Sequence, residues 1–257
     1  MKIALCTIAF SEFPLENVLN LASKLSFDGV EIWGKEPHMP SDCVAYAKEV
    51  RNMAYKKGLE IVSFGSYVNP LMEQYQRRWQ TALEITRVLG SKIIRIWAGS
   101  TPSVSFALDK RKAIVSRLRE LAEKAQGLGI TLATEMHDNT LADTAESTVK
   151  LMEDVGSTNL KTYYQPSFRP DANDFYECLE RVGKYVVNVH AQNARRLPDG
   201  RMEPCSIVDG VVDYSKIVQI LRTYSYDGYL EIEFVRGADK ISALKRDRDF
   251  LADLLGR

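Results

Sequence analysis

An excess of charge of either sign is missing from this chain: Lys and Arg together number 34, as do Asp and Glu, so the formal net charge is zero. A nucleic-acid binder carries a basic excess or a concentrated basic stripe. The nearest runs, KRKAIVSRLRE and LKRDRDF, mix acids with bases at helical spacing and read as solvated helix faces. Cysteine is sparse and unpatterned. Cys6, Cys43, Cys178 and Cys205 show no CxxC spacing, which argues against both a disulfide framework and a thiolate zinc site. No run approaches the ~18 consecutive apolar residues that span a bilayer. The N-terminal MKIALCTIAF has a short apolar stretch without a small-residue cleavage site, and reads as a first strand and not a signal peptide. The expectation is a cytoplasmic protein with neither nucleic acid nor membrane as partner. Two phosphate signatures are absent as well. SEFPLEN stands where a dinucleotide-binding fold would carry G-x-G-x-x-G, and the late loop VHAQNARRLPDG has a single Gly, which argues against a phosphorylated substrate.

What is present is alternation. Strand-like segments begin at Ile3, Gly29, Leu59, Lys92, Ile130, Leu160, Tyr185 and Gly228, each short, rich in aliphatic and aromatic residues, and bounded by turn formers. Between them, segments such as PLENVLNLASKL and DCVAYAKEVRNMAYKKG place apolar residues at helical steps. Gly58, Gly90 and Gly127 are the expected helix stops. From Ile3 to Gly228 seven steps span 225 residues, about 32 each, the size of one βα unit. Strict alternation implies a parallel sheet, and eight units in a chain of 257 residues favour one α/β domain over 1–257, closed as a (β/α)8 TIM barrel.

In such a barrel the functional groups stand at the C-terminal strand ends. On alternation, Ala133, Glu135 and His137 share a face in the fifth strand, and Tyr163, Gln165 and Ser167 in the sixth. Asn188, His190 and Gln192 share one in the seventh, as do Glu231 and Glu233 in the eighth. With those faces inward, Glu135, Gln165, His190 and Glu233 converge as metal ligands. This mostly oxygen set suits Mn²⁺, Mg²⁺ or Co²⁺, with Zn²⁺ also possible. Glu135 and Glu233, facing each other across the pocket, would be the catalytic pair, one removing a proton beside a carbonyl and the other returning it.

Four segments carry a resemblance across essentially the whole chain. They are FDGVEIW, ATEMHDNTLADT, NVHAQNARR and GVVDYSKIVQILRTYSYDGYLEIEF, the last combining a helix start, a turn and a strand ending in Glu. With them the chain resembles the xylose-isomerase-like TIM-barrel superfamily of sugar isomerases and epimerases. The resemblance to its ketose 3-epimerases implies metal ligation by Glu135, His190 and Glu233, with Gln165 where those enzymes have Asp. It implies substrate binding by Arg196, and Phe168 stands where they commonly have a substrate-contacting His. It implies a metal-dependent isomerase or epimerase of a sugar or sugar-like ketone, working through an enediolate, in an assembly of two or four copies. Gln165 and Phe168 leave room for a non-catalytic sugar-binding barrel or for a lyase or dehydratase. An endonuclease IV-like phosphodiesterase shares the scaffold, but its trinuclear site needs many histidines and this chain has three.

Simpler readings stand beside these. Arg95 offers Glu135 or Glu31 a buried ion pair, and Glu231, two residues deeper than Glu233, suits a structural pairing. Trp33, Trp97 and Phe168 either wall a sugar pocket or pack in the core. His137 either projects into the mouth or hydrogen-bonds within its own loop. His38, in KEPHMPSD, reads as a surface residue.

Overall fold

The periodicity is realised as alternating short strands and helices. A computed structural model, describing residues 1–169 and 174–257, runs β1 (Lys2–Cys6), α1 (Leu15–Lys24), β2 (Gly29–Trp33), α2 (Val44–Lys56), β3 (Glu60–Gly65), α3 (Tyr75–Leu89), β4 (Ile93–Ile96), α4 (Leu108–Gly127) and β5 (Thr131–Glu135). It continues with α5 (Ala145–Val155), β6 (Leu160–Tyr164), α6 (Phe175–Val182), β7 (Val186–Ala191), β8 (Asn193–Arg196), β9 (Met202–Cys205), α7 (Tyr214–Thr223), β10 (Tyr229–Ile232) and α8 (Lys240–Leu255). Strands β1 to β7 and β10 pair in parallel and close into one barrel, β10 joining β7 to β1. The expected (β/α)8 architecture is therefore what the chain forms.

Local chemistry sets the element ends. Thr144, Asp174, Asp213 and Asp239 each accept a hydrogen bond from a backbone N–H in the first turn of the following helix, the ordinary N-cap role of short polar side chains. One expected stop moves. Gly127 is the last residue of α4, and it is Gly129, at φ 68°, that takes the left-handed conformation and turns the chain into β5. The first and eighth strands are shorter than their apolar runs suggested. A 3₁₀ turn over Thr7–Phe10 replaces the end of the first, and β10 ends at Ile232, so Glu233 stands just past the ladder. The antiparallel hairpin β8–β9 was not foreseen; it is inserted between the seventh barrel strand and α7.

Outward-facing strand residues such as Leu5, Ile32, Phe64, Ile94, Leu132, Val189 and Leu230 pack under the helices as the main apolar core. The barrel interior is different. A small separate cluster of Ala4, Val62 and Tyr229 lies toward the N-terminal strand ends. Beyond it, the inward positions hold polar groups, all buried: Cys6, Glu31, Ser63, Arg95, Glu135, Tyr163, Asn188, His190 and Glu231. Barrels of this type usually fill their interior with branched apolar side chains. Two ladder irregularities, at Val30/Glu31 and Thr162/Tyr163, shift the register of β2 against β3 and of β6 against β7 beside two of these residues. Gly65, at the end of β3, makes room for them: a Cβ there would lie 2.7 Å from Glu31 Oε1 and 3.1 Å from Arg95 Nη2.

Candidate metal centre

Four carboxylates surround one imidazole. His190 lies in the ladder beside Glu231, and its two ring nitrogens face opposite ways along the barrel. Nδ1 is 3.4 Å from Glu135 Oε1 and 3.6 Å from Glu233 Oε2. Nε2 is 3.5 Å from Glu231 Oε2 and 3.6 Å from Glu31 Oε1. Glu135 closes β5 and Glu233 follows β10, so the Nδ1 side faces the mouth; Glu231 and Glu31 lie one layer deeper. Arg95 supplies the second cation. Its Nε is 3.0 Å from Glu135 Oε2, but the N–H is not aimed at that oxygen, so both atoms count as ion-paired and neither as hydrogen-bonded. Its Nη1 donates to the Ser66 carbonyl at 2.9 Å, and its guanidinium lies 5.4 Å from the Tyr67 ring and 5.1 Å from that of Trp97. The expected Glu135–Arg95 and Glu31–Arg95 contacts both exist, and neither removes Glu135 from the cluster.

Electrostatics sorts the four acids. Burial raises the pKa of every one, but His190 and Arg95, with a hydrogen bond from Ser63 Oγ at 2.6 Å, bring Glu31 down to about 2. Against the same burial, Arg95 and then His190 hold Glu135 below its ordinary value. Glu231 and Glu233 have weaker cationic support. Burial, with repulsion from Glu31 for the first and from Glu135 for the second, pushes each up to about 7. Burial would depress His190, yet the surrounding carboxylates, Glu233 foremost, hold it well above its usual value. With all four acids ionised, the charges of Glu31, Glu135, Glu231, Glu233, Arg95 and His190 sum to −4 + 2 = −2.

That balance sets a pH dependence for the metal-free protein. Between the unfolded carboxyl value and about 7, the folded chain keeps protons on Glu231 and Glu233 that the unfolded chain has released. The stabilisation is complete below the unfolded value and is lost as pH rises through 7; His190 acts in the same direction. In EDTA the melting temperature is expected to fall by several degrees from pH 5.5 to pH 8.5. A flat or rising profile in calorimetry would contradict this distribution of charge.

The residues fit a divalent cation. The ligand atoms of Glu135, His190 and Glu233 lie within 4.8 Å of one another. Among the described residues, Glu135 Oε2, His190 Nδ1 and Glu233 Oε2 are buried without a hydrogen bond, though the first is ion-paired with Arg95, an arrangement costly to a folded protein unless something else satisfies it. A second triad, Cys6, Glu31 and His190, meets the same distance criterion. Its thiol is held protonated by burial and then by Glu31, and its Glu31 is already engaged by Ser63, which favours the first triad.

Other residues singled out from the sequence fall in several places. Gln165 Nε2 donates to the Met136 carbonyl at 2.7 Å, and its Oε1 accepts from Gln192 Nε2 at 3.2 Å. Gln165, His137, Phe168 and Gln192 line a cavity of about 340 Å³ at the ends of β5 to β7. His137 does both things open to it: Nδ1 lies 2.8 Å from the Asp138 carbonyl, while the ring stands edge-on to Trp97 with centroids 4.7 Å apart. Phe168 packs on Phe175 at 5.6 Å. Trp33 donates from Nε1 to the Tyr67 hydroxyl at 2.8 Å, which ties the β2 and β3 ends together. Tyr67 was not singled out, although it ends an apolar run as Trp33 and Trp97 do. Arg196 is exposed on β8 opposite Met202, and the residues lining this cavity do not include it. One expectation needs correction. His38 is fully buried, its Nε2 3.0 Å from the Phe13 carbonyl and its ring edge-on to Trp33.

Comparison with known proteins agrees with this architecture. The chain is 23% identical over 253 residues to a 3-dehydroshikimate dehydratase of Bacillus anthracis, covering 90% of each. It is 20% identical over 259 residues to a fructoselysine 3-epimerase of Escherichia coli O157:H7, covering 91% of this chain and 90% of the other. A xylose isomerase-like TIM barrel protein from Mycobacterium smegmatis, solved in complex with magnesium, superposes with a TM-score of 0.81 at 19% identity, covering 99% of this chain and 96% of the other. The profile of the family described as xylose isomerase-like TIM barrel matches residues 19–254. On fold, on closure of the barrel and on this match, the chain belongs to the xylose isomerase-like TIM barrel family.

Proposed function

We propose that this protein is a divalent-metal-dependent enzyme that moves a proton at the carbon beside the carbonyl of a small, sugar-like polyhydroxy ketone, as an isomerase or epimerase. The observation that carries the reading is the meeting of Glu135, His190 Nδ1 and Glu233 at the C-terminal strand ends, each with a buried atom that makes no hydrogen bond among the described residues. Those three residues would hold the cation. When bound, it supplies a Lewis acid that polarises the substrate's oxygens. Glu135 and Glu233 both face His190 Nδ1, one held below its ordinary value by Arg95 and the other pushed up to about 7 in the metal-free chain. Two carboxyl groups with divergent environments are suited to separate roles, one taking the proton and one giving it. Trp33, Tyr67, Trp97 and Phe168 would offer apolar faces to the substrate's C–H surfaces and keep water from the reacting carbon.

Dehydration is a second reading, favoured by the dehydratase relative. The same proton removal, followed by loss of a β-hydroxyl as water, requires no change in the carboxylate pair. One experiment separates the two. Mn²⁺-loaded protein is incubated in D₂O with linear ketoses and cyclic polyhydroxy ketones and followed by NMR. Deuterium entering an α-carbon with the carbon skeleton and formula kept marks the isomerase or epimerase; new alkene protons mark the dehydratase. Failure to bind Mn²⁺ by titration calorimetry, or neither signal across the panel, would remove the proposal.

A further inference from the structure

Below the Nδ1 side of His190 lies a second polar layer that proton transfer at the mouth does not use. Glu231, Asn188 and Tyr163 are fully buried, and among the described residues both carboxylate oxygens of Glu231, both amide atoms of Asn188 and the Tyr163 hydroxyl lack a hydrogen-bond partner. His190 Nε2 points into this layer, 3.5 Å from Glu231 Oε2 and 3.6 Å from Glu31 Oε1. The two acids are not equivalent. Glu31 is already committed, accepting from Ser63 Oγ at 2.6 Å and from Cys6 Sγ at 3.4 Å, with Arg95 Nη2 at 3.9 Å. Glu231 has no such partner, and it is the ladder neighbour of His190 across β10 and β7. The two side chains therefore leave adjacent strands side by side, on one face of the sheet.

We infer that Glu231 is a positioning residue: it accepts the Nε2–H of His190 and so fixes the imidazole with its Nδ1 lone pair toward Glu135 and Glu233. A neutral imidazole has one donor and one acceptor nitrogen, and the partner of one decides what the other offers. Partners placed behind a metal-binding histidine commonly contribute 10- to 100-fold in metal affinity. The inference rests on the cation site proposed above. It adds that the sequence E-x-E at the end of β10 divides the work, Glu233 binding and Glu231 aiming the ring. It also assigns the Nε2-facing triad of Cys6, Glu31 and His190 to orientation and not to a second cation.

The test uses Mn²⁺ affinity by calorimetry and the melting temperature in EDTA on the full chain. Glu231→Leu is expected to weaken Mn²⁺ binding about 10- to 100-fold. Its metal-free melting temperature should stay level or rise, since a buried carboxyl group repelled by Glu31 is replaced by an apolar side chain. Glu231→Gln, whose amide oxygen can still accept from Nε2, is expected to bind within a few-fold of wild type. A merely structural role predicts instead that affinity and metal-free stability fall together in both variants, and that outcome overturns the inference. So does wild-type affinity in Glu231→Leu, or a thiolate-to-metal charge-transfer band in the Co²⁺-loaded protein, which would put Cys6 and Nε2 on the cation. A wild-type protein that binds no Mn²⁺ removes the proposed function along with the inference. Unchanged binding in the Leu variant removes the inference alone.

Discussion

Glu233→Gln is expected to lower solvent-deuterium exchange at the substrate α-carbon by on the order of 10³-fold, in the range found when a positioned acid or base is lost. The substitution keeps the length of the side chain and so preserves the packing of a residue that is 7% exposed just past β10. What it removes is the carboxyl group 3.6 Å from His190 Nδ1, which in the proposed mechanism carries the proton. Because Gln can still offer an oxygen, cation affinity should drop less than turnover does. Comparing kcat with the Mn²⁺ dissociation constant therefore separates loss of proton transfer from loss of the cation. Exchange at the wild-type rate in this variant would end the two-carboxylate mechanism.

The largest effect on stability is expected at Arg95. Removing one partner of a buried ion pair leaves an uncompensated charge, and Arg95→Met is expected to cost about 3–5 kcal/mol. In a chain of this size that corresponds to a melting temperature lower by roughly 10 °C. Glu135 and Glu31 would be stranded together, and the hydrogen bond to the Ser66 carbonyl and the stacking on Tyr67 and Trp97 would go with the guanidinium. Both acids can escape by taking up protons, so the deficit should grow as pH rises above neutrality. Adding Glu31→Met to Arg95→Met should recover part of the loss by restoring charge balance. A single variant as stable as wild type in denaturant unfolding would show that the pair contributes nothing net.

Much of the scaffold was legible because alternation of short apolar runs and helical spacing leaves few architectures at this length. The strand-end positions of Glu135 and His190 were legible for a related reason: a charged or imidazole group closing a buried strand needs a partner, and inward alternation names the face. Depth was not legible. Whether Glu231 and Glu31 sit at the level of His190 depends on the stagger around the closed barrel and on two ladder irregularities, neither of which one strand's sequence encodes. The hairpin β8–β9 escaped notice because NARR and MEPC are short and polar. His38 was misread because its burial comes from a carbonyl on a different loop, Phe13, a contact that pattern within KEPHMPSD cannot announce.

The absent side chain at position 65 has a consequence for anyone redesigning this barrel. Side chains that line the cavity at the mouth, such as His137, Phe168 and Gln192, are where a search for new substrates would begin. Position 65 is a clearance, and any larger residue there would crowd Glu31 and Arg95 at once. A mutational library that randomises the rim while holding this one glycine constant would sample specificity without dismantling the charge balance beneath it.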